Sequence, residues 1–275
     1  RAADLGWYAG FMAAPRPKLG IEIEALRIPG SDRSWRGDDF IKLMALIVAD
    51  GFAGSAEKNW NVVSFCCFDE RYPTVKEFAA KLGFTEQPKR RGVWYANLPE
   101  LAAWVRSSCY SGEVYRSTAK RLPTFLRECS ARQIRLFLDW YAYKSNNQYS
   151  TASKQIADDL QELHLRIGVR ASIGHRGPRT AVYHDKTITN SGEYTVYVAT
   201  TDRLCVDKKK HIETERYKGL VYCVGVPNHT MITRRNGDVL ISSNFWAYST
   251  TQSLMIQRLR DNQPLIRLSA HAGAS

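Results

Sequence analysis

Asp50 closes the longest apolar run of the chain, Leu43 to Ala49, and Gly51 follows it. The plain reading of an acidic residue there is an Asp-Gly turn that ends a buried helix. Six Cys could pair or hold zinc, yet there is no CxxC and no Cys/His set with zinc spacing. Free thiols are the expectation. Lys and Arg number 39 against 27 Asp and Glu, a net charge of +12. Such an excess attracts polyanions, nucleic acid first, or else it only solvates the surface. Ten Lys and Arg against four Glu fall between 86 and 135. Lys89-Arg90-Arg91 makes a cationic turn beside Trp94 and Tyr95. Lys208-Lys209-Lys210 suits a loop that touches phosphate without reading sequence.

These groups need elements to hold them. The 275 residues are enough for a packed core, and 44% hydrophobic with 24% charged residues argues against disorder. No run is long enough to span a bilayer, and no secretory leader opens the sequence, so an intracellular, cytoplasmic chain is expected. The first residue is Arg rather than Met, as in a fragment or processed product. Residues 1–38 read as a loop with a short strand at Ile21 to Glu24. Asp38 or Asp39 can cap a helix that runs to Asp50 and is apolar nearly all round. Trp60–Phe68 reads as a strand, Thr74–Leu82 as an amphipathic helix ended by Gly83, Gly92–Ala96 as a strand, and Pro99 opens another helix. A second cycle follows about 95 residues on. Ser130 caps a helix from Ala131 to about Tyr143, Gln148–Thr151 is a strand, Ser153 caps the helix Lys154–Ile167, and Val169–Ile173 is a strand. Beyond 178 the pattern is β, with strands at Ala181–Tyr183, Tyr194–Ala199, Gly219–Val226, Met231–Arg235 and Val239–Ile241. Asn236-Gly237 forms a hairpin turn. Leu254, Ile256 and Leu259 suit an amphipathic helix over 245–260.

Leu43-Met44-Ala45-Leu46-Ile47-Val48-Ala49-Asp50-Gly51 resembles the LAGLIDADG motif of homing endonucleases. Lys120-Arg121-Leu122-Pro123, then Gln133 to Asp139, resembles the lead-in to a second motif in intein-borne members. Ser153 to Leu163 and Arg166-Ile167-Gly168-Val169 continue the likeness. The resemblance implies an α+β, pseudo-two-fold fold of two αββαββα-like repeats, in which paired helices deliver carboxylates to scissile phosphates. Divalent ions, usually Mg²⁺, would activate water there. By this likeness Asp50 is a catalytic residue and metal ligand. Lys120 would position water or steady a phosphate. The second motif, Leu138 to Asn146, has Ser145 where a carboxylate belongs. Lys144 beside it would repel the ion, and Trp140 stands where a small residue allows close helix packing. Asp139 lies six residues earlier, about 9 Å along a helix.

Val221 to Thr230 and Val239 to Asn244 resemble the C-terminal splicing blocks of an intein, with His229 as the assisting His and Asn244 as the cyclising Asn. Ser243 and Phe245 depart from that pattern, and no upstream nucleophile is present. Arg1 to Leu5 with Ala14 to Pro17 is similar to the end of an intein's N-terminal half. The implied organisation is a residual splicing segment and linker (1–38), an endonuclease-like domain (39–178, repeats 39–119 and 120–178), a β-rich splicing-like (Hint-type) region (179–244) and an extension (245–275).

The implied partner is double-stranded DNA, read by strand-borne side chains in the major groove. Arg and Lys suit guanine, and Asn and Gln suit adenine. Candidates are Lys58, Asn59, Asn61, Lys89, Arg90, Arg91, Asn147, Gln148, Arg170, Arg176 and Arg179. A membrane partner is not expected. The chain is expected to be a monomer with internal pseudo-symmetry, to which an N-terminal splicing fragment could add in trans. The expected function is a Mg-dependent, site-specific DNA endonuclease or nickase, with cleavage impaired by loss of the second carboxylate. The alternatives are an inactive DNA-binding remnant and a phage-type structural or interaction protein on the same scaffold.

Overall fold

A computed structural model of the chain describes residues 8–12, 20–55, 58–112, 115–141, 147–183, 186–189, 191–201, 203–207, 230–235, 237–243, 255–257 and 266–268. The chain is α+β, and among the described residues all sheets are antiparallel. Three short strands, β1 (Tyr8–Met12), β2 (Ala25–Arg27) and β3 (Ser34–Arg36), precede helix α1 (Gly37–Asp50). Leu43 to Val48 are buried without interruption, so α1 is enclosed on every side. The expected cap at Asp38 or Asp39 is not made. Arg36 stands at the N-cap with no side-chain bond, and Asp38 and Asp39 lie in the first turn, where acidic groups favour the helix dipole. Asp38 instead pairs with Arg132. The expected strand at Ile21 to Glu24 is a single bridge, from Ile21 to Cys129.

After α1 come β4 (Phe52–Ser55), β5 (Lys58–Cys66), α2 (Tyr72–Leu82), β6 (Thr85–Gln87), β7 (Arg90–Asn97) and α3 (Pro99–Cys109). The four strands form one sheet in the order β4-β5-β7-β6. Val63 and Phe65 of β5 and Trp94 and Ala96 of β7 are buried. Phe52, Ser64 and Tyr95 stand in register as a row on the opposite face. Gly83 ends α2 in the left-handed conformation that its sequence position suggests.

Two 3₁₀ turns lead into α4 (Ala131–Tyr141), whose buried stripe is Gln133, Ile134, Phe137, Leu138 and Tyr141. Ser130 accepts the Gln133 amide at 3.2 Å. Then follow β8 (Gln148–Thr151), α5 (Lys154–Arg166), β9 (Ala171–Arg176), β10 (Thr180–Tyr183), β11 (Lys186–Thr189) and β12 (Glu193–Val198). Ser153 caps α5 by accepting the Ile156 amide. β12 lies between β8 and β9 in one sheet, and β10 and β11 pair separately as a hairpin between β9 and β12. The boundary expected at 178 therefore falls inside a structural unit, because β12 supplies the central strand of that sheet.

α1 and α4 pack along one another. Trp140 does not obstruct them. It turns to α2, edge-on to Phe78 at 4.9 Å, with the Lys42 ammonium 4.8 Å over its ring. Arg71 at the start of α2 donates to the Trp140 carbonyl at 3.0 Å and ties the two halves further.

β13 (Arg203–Asp207) pairs with β1, Tyr8 opposite Asp207. β14 (Thr230–Arg235) and β15 (Asp238–Ser243) form the expected hairpin. Its tip docks on the second half: the Gly237 carbonyl accepts Ile173 N–H at 2.9 Å and Gln161 Nε2 at 2.6 Å. Gly237 has φ +85, and a Cβ would come within 2.4 Å of the Ile173 oxygen. Both facts require glycine. The helix expected over 245–260 is not formed at Met255–Gln257, which is strand β16 paired with β17 (Ile266–Leu268). Leu254 and Ile256 also have the two-residue spacing of a strand, and the pairing selects it. Gly219–Val226 lies outside the described residues.

Candidate functional site at the end of the helix pair

Asp50 is the last residue of α1 and its side chain is exposed. The chain leaves the helix through Gly51, which has ordinary extended angles. Glycine is needed there because a Cβ would stand 2.5 Å from the Ile47 oxygen and 2.7 Å from that of Ser64. The bend brings β4 and β5 under the helix end. The Cys66 thiol of β5 then donates to the Asp50 carbonyl at 3.1 Å.

Lys120 occupies the same end from the second half. A bridge to Tyr110 and the Ser153 hydroxyl, which donates to the Lys120 carbonyl at 2.5 Å, hold its backbone. Its ammonium donates to the Gly51 and Val48 carbonyls at 2.8 and 3.0 Å, with those of Ile47 and Ala49 at 3.4 and 3.5 Å. Three N–H bonds and a positive charge thus meet the carbonyls at the helix C-terminus, of which that of Ile47 also accepts the Gly51 N–H at 2.9 Å. Burial lowers the Lys120 pKa, and Asp50 opposes that. The ammonium expected to position water or steady a phosphate is therefore committed to clamping α1 beneath Asp50.

The end of α4 lies close by. Tyr141 is buried, and its pKa is raised first by burial and then by the Asp50 carboxylate. The Cys66 thiol is also raised, by burial first and Asp50 second. Arg90 and Arg71 act electrostatically on this group, through Cys66 and Asp50 respectively. Ser145 lies outside the described residues. Asp139 is exposed on α4 and bears on Tyr149 rather than Tyr141. Among the described residues, no three His, Cys, Asp or Glu side chains are placed to hold a metal ion. Asp50 supplies one carboxylate at this end, and Mg²⁺ is ordinarily held by one or two carboxylates together with water and substrate phosphate, so Asp50 would serve as a single protein ligand for the Mg²⁺ that the resemblance implies.

The expected DNA-reading residues separate into groups. Lys89 and Arg90 are exposed, and Arg91 is exposed with its guanidinium 4.5 Å from the Tyr72 ring. Asn61 is exposed on β5; Lys58 and Asn59 lie on the same strand, with side chains outside the description. Asn147 is exposed at φ 54 and leads into β8, where Gln148 is half-buried and stands in register with Tyr197. Arg176 is exposed in register with Glu193. Arg179 is exposed after β9. Arg170 departs from the expectation. It is half-buried beside Asp238, with a buried Nε that has no hydrogen-bond partner among the described residues. His229 and Asn244 lie outside the described residues.

Sequence reasoning missed Cys66, Arg71 and Tyr141 around Asp50. Their only signal is position, Tyr141 closing the buried stripe of α4 and Cys66 ending an apolar strand. Among the described residues no helix is long and apolar enough to cross a membrane. Comparison with known protein families gave no matching family model, and comparison with characterised protein sequences gave no match.

Proposed function

We propose that the chain is a double-stranded-DNA-binding protein on a LAGLIDADG-type scaffold, descended from intein-borne homing endonucleases, that holds DNA without metal-dependent double-strand cleavage. The observation that carries this reading is the pairing of α1 with α4, one helix from each half, with Asp50 at their common end. The order α1-β4-β5-α2-β6-β7-α3 supports it for the first half, whereas the second half runs α4-β8-α5-β9-β10-β11-β12 and departs from the expected repeat. The net charge of +12 and the exposed Lys89, Arg90, Arg91 and Arg176 supply the phosphate-binding term. On this reading β1 with β13, and β14 with β15, are remains of an intein splicing module.

The test is equilibrium binding of the full chain to duplex DNA over a salt series, beside a plasmid assay with Mg²⁺ or Mn²⁺. The reading expects duplex binding and no linear product. Absence of duplex binding at about 50 mM salt would favour the structural or interaction protein instead. Linear product lost in Asp50→Asn would restore the endonuclease. The exposed Asp50 beside Arg71 and Arg90 favours a second reading, retained single-strand nicking. Open-circular product that Asp50→Asn removes would establish it.

A further inference from the structure

An open-sided pocket of about 400 Å³ lies between α3, Tyr115, Arg121 and Trp60 of β5. Its lining includes Trp60, Ala103, Arg106, Tyr110, Tyr115 and Arg121. Trp60 is 43% exposed, an unusual degree for so large an apolar ring, yet it is held firmly. The Arg106 guanidinium lies 3.6 Å from the Trp60 ring centroid, and its Nη1 donates to the Trp60 carbonyl at 2.5 Å and the Gly54 carbonyl at 3.2 Å. Tyr115 meets Trp60 edge-on at 6.2 Å, and Tyr110 meets Tyr115 edge-on at 5.4 Å. Arg121 is anchored through Nε to the Ser108 carbonyl and through Nη2 to the Ser107 carbonyl.

Trp60 and Tyr115, backed by the buried Tyr110 and Arg106, stand beside the partly exposed, anchored Arg121 guanidinium, and in a cleft of ligand size they suit a planar aromatic ring that carries an anionic group. Of common ligands a nucleotide combines the two: the base offers a π-face to the rings, and the phosphate accepts from arginine. We propose that this pocket binds a nucleotide unit, its base against Trp60 and Tyr115 and its phosphate at the Arg121 end. The unit could come from a free mononucleotide or from an unstacked strand, since both present the same chemistry. The proposal is independent of the reading of the helix pair.

Calorimetric titration of the full chain with adenosine 5′-monophosphate, adenosine, inorganic phosphate and oligodeoxyadenylate tests it. Binding of the monophosphate, more tightly than of adenosine or phosphate, is expected. The loss should be about ten-fold or more in Trp60→Ala and small in Trp60→Phe, which keeps a stacking face. Ala103→Glu sets a carboxylate on an exposed turn of α3 at the pocket wall and leaves Trp60 packed, so it decides the matter even where Trp60→Ala does not fold. It too should weaken binding. Variant-sensitive binding of the oligonucleotide alone assigns the pocket to a strand; sensitivity with the monophosphate assigns it to free nucleotide. The proposal is overturned if neither binds at about millimolar ligand, or if binding is indifferent to Ala103→Glu.

Discussion

At the scale of single residues, Asp50 and Lys120 differ in what they are for. Asp50 acts on the helix end only through the charge it sets near the Lys120 ammonium, so Asp50→Asn should cost no more than about 1 kcal/mol in denaturant unfolding. Lys120→Met keeps the length of the side chain and removes its N–H groups from the Val48 and Gly51 carbonyls. It should cost about 1–3 kcal/mol in the same measurement. A result in the opposite order would mean that the clamp is not structural. Acid pH gives a second handle. Hydrogen bonds from Arg132 hold the Asp38 carboxyl down at about 2, below its ordinary value of 3.8. A depressed carboxylate contributes stability above its unfolded pKa and loses it as pH falls through the folded one. The contribution should therefore fade between about pH 4 and pH 2, and Asp38→Asn should flatten that part of the pH–stability curve. Solvent screening keeps the effect small, since both partners are partly exposed. The acidic end of α1 was legible in the sequence because a run such as Leu43 to Val48 can only be buried. The clamp was not, because nothing local to Lys120 says that Ser153 and Tyr110 will hold it under a helix about 70 residues earlier.

Among elements, the helix seam and the docked hairpin carry most of the argument. Phe137 is fully buried on α4, the helix that packs on α1. Phe137→Ala should cost about 3–5 kcal/mol and, if the pair organises DNA binding, lower affinity for duplex as well. The β14–β15 tip depends on Asp238, which burial pushes up to about 6 while Arg170 pulls the other way. A carboxyl raised in the folded state stabilises it at low pH, and the advantage is lost as pH rises from about 4 to about 6. Hydrogen exchange reads this directly, since Ile173 N–H donates to Gly237 at the dock. Protection of that amide, corrected for intrinsic rate, should be greater at pH 5 than at pH 7.5, and Asp238→Asn should abolish the difference. Helices and turns marked by Ser130, Ser153, Gly83 and the Asn236-Gly237 pair were readable because caps and turns are local chemistry. The place of β12 was not. Its alternating residues announce a strand, but only pairing across the chain decides that it lies between β8 and β9 rather than in a separate β region.

For the whole molecule, charge and topology set the expectations. If exposed cations such as Lys89, Arg90 and Arg176 meet phosphate, duplex affinity should fall about a thousand-fold or more between about 50 and 200 mM salt. A shallow slope would leave the excess charge to solubility alone. The mixed α+β character was plain from alternating periodicities, whereas the pairing of two helices was expected only through the resemblance to the LAGLIDADG motif. The closing of the chain on itself through β1 and β13 was hidden, because a five-residue strand carries no label for its partner. That closure has a consequence for synthesis. Tyr8–Met12 leaves the ribosome long before Arg203–Asp207, by about 10–40 s at ordinary elongation rates. Throughout that interval its backbone edge is open to other chains, whereas α1 and α4 can pair before β13 is made. Translation speed and chaperone supply, more than the final stability, should thus govern the yield of correctly joined molecules.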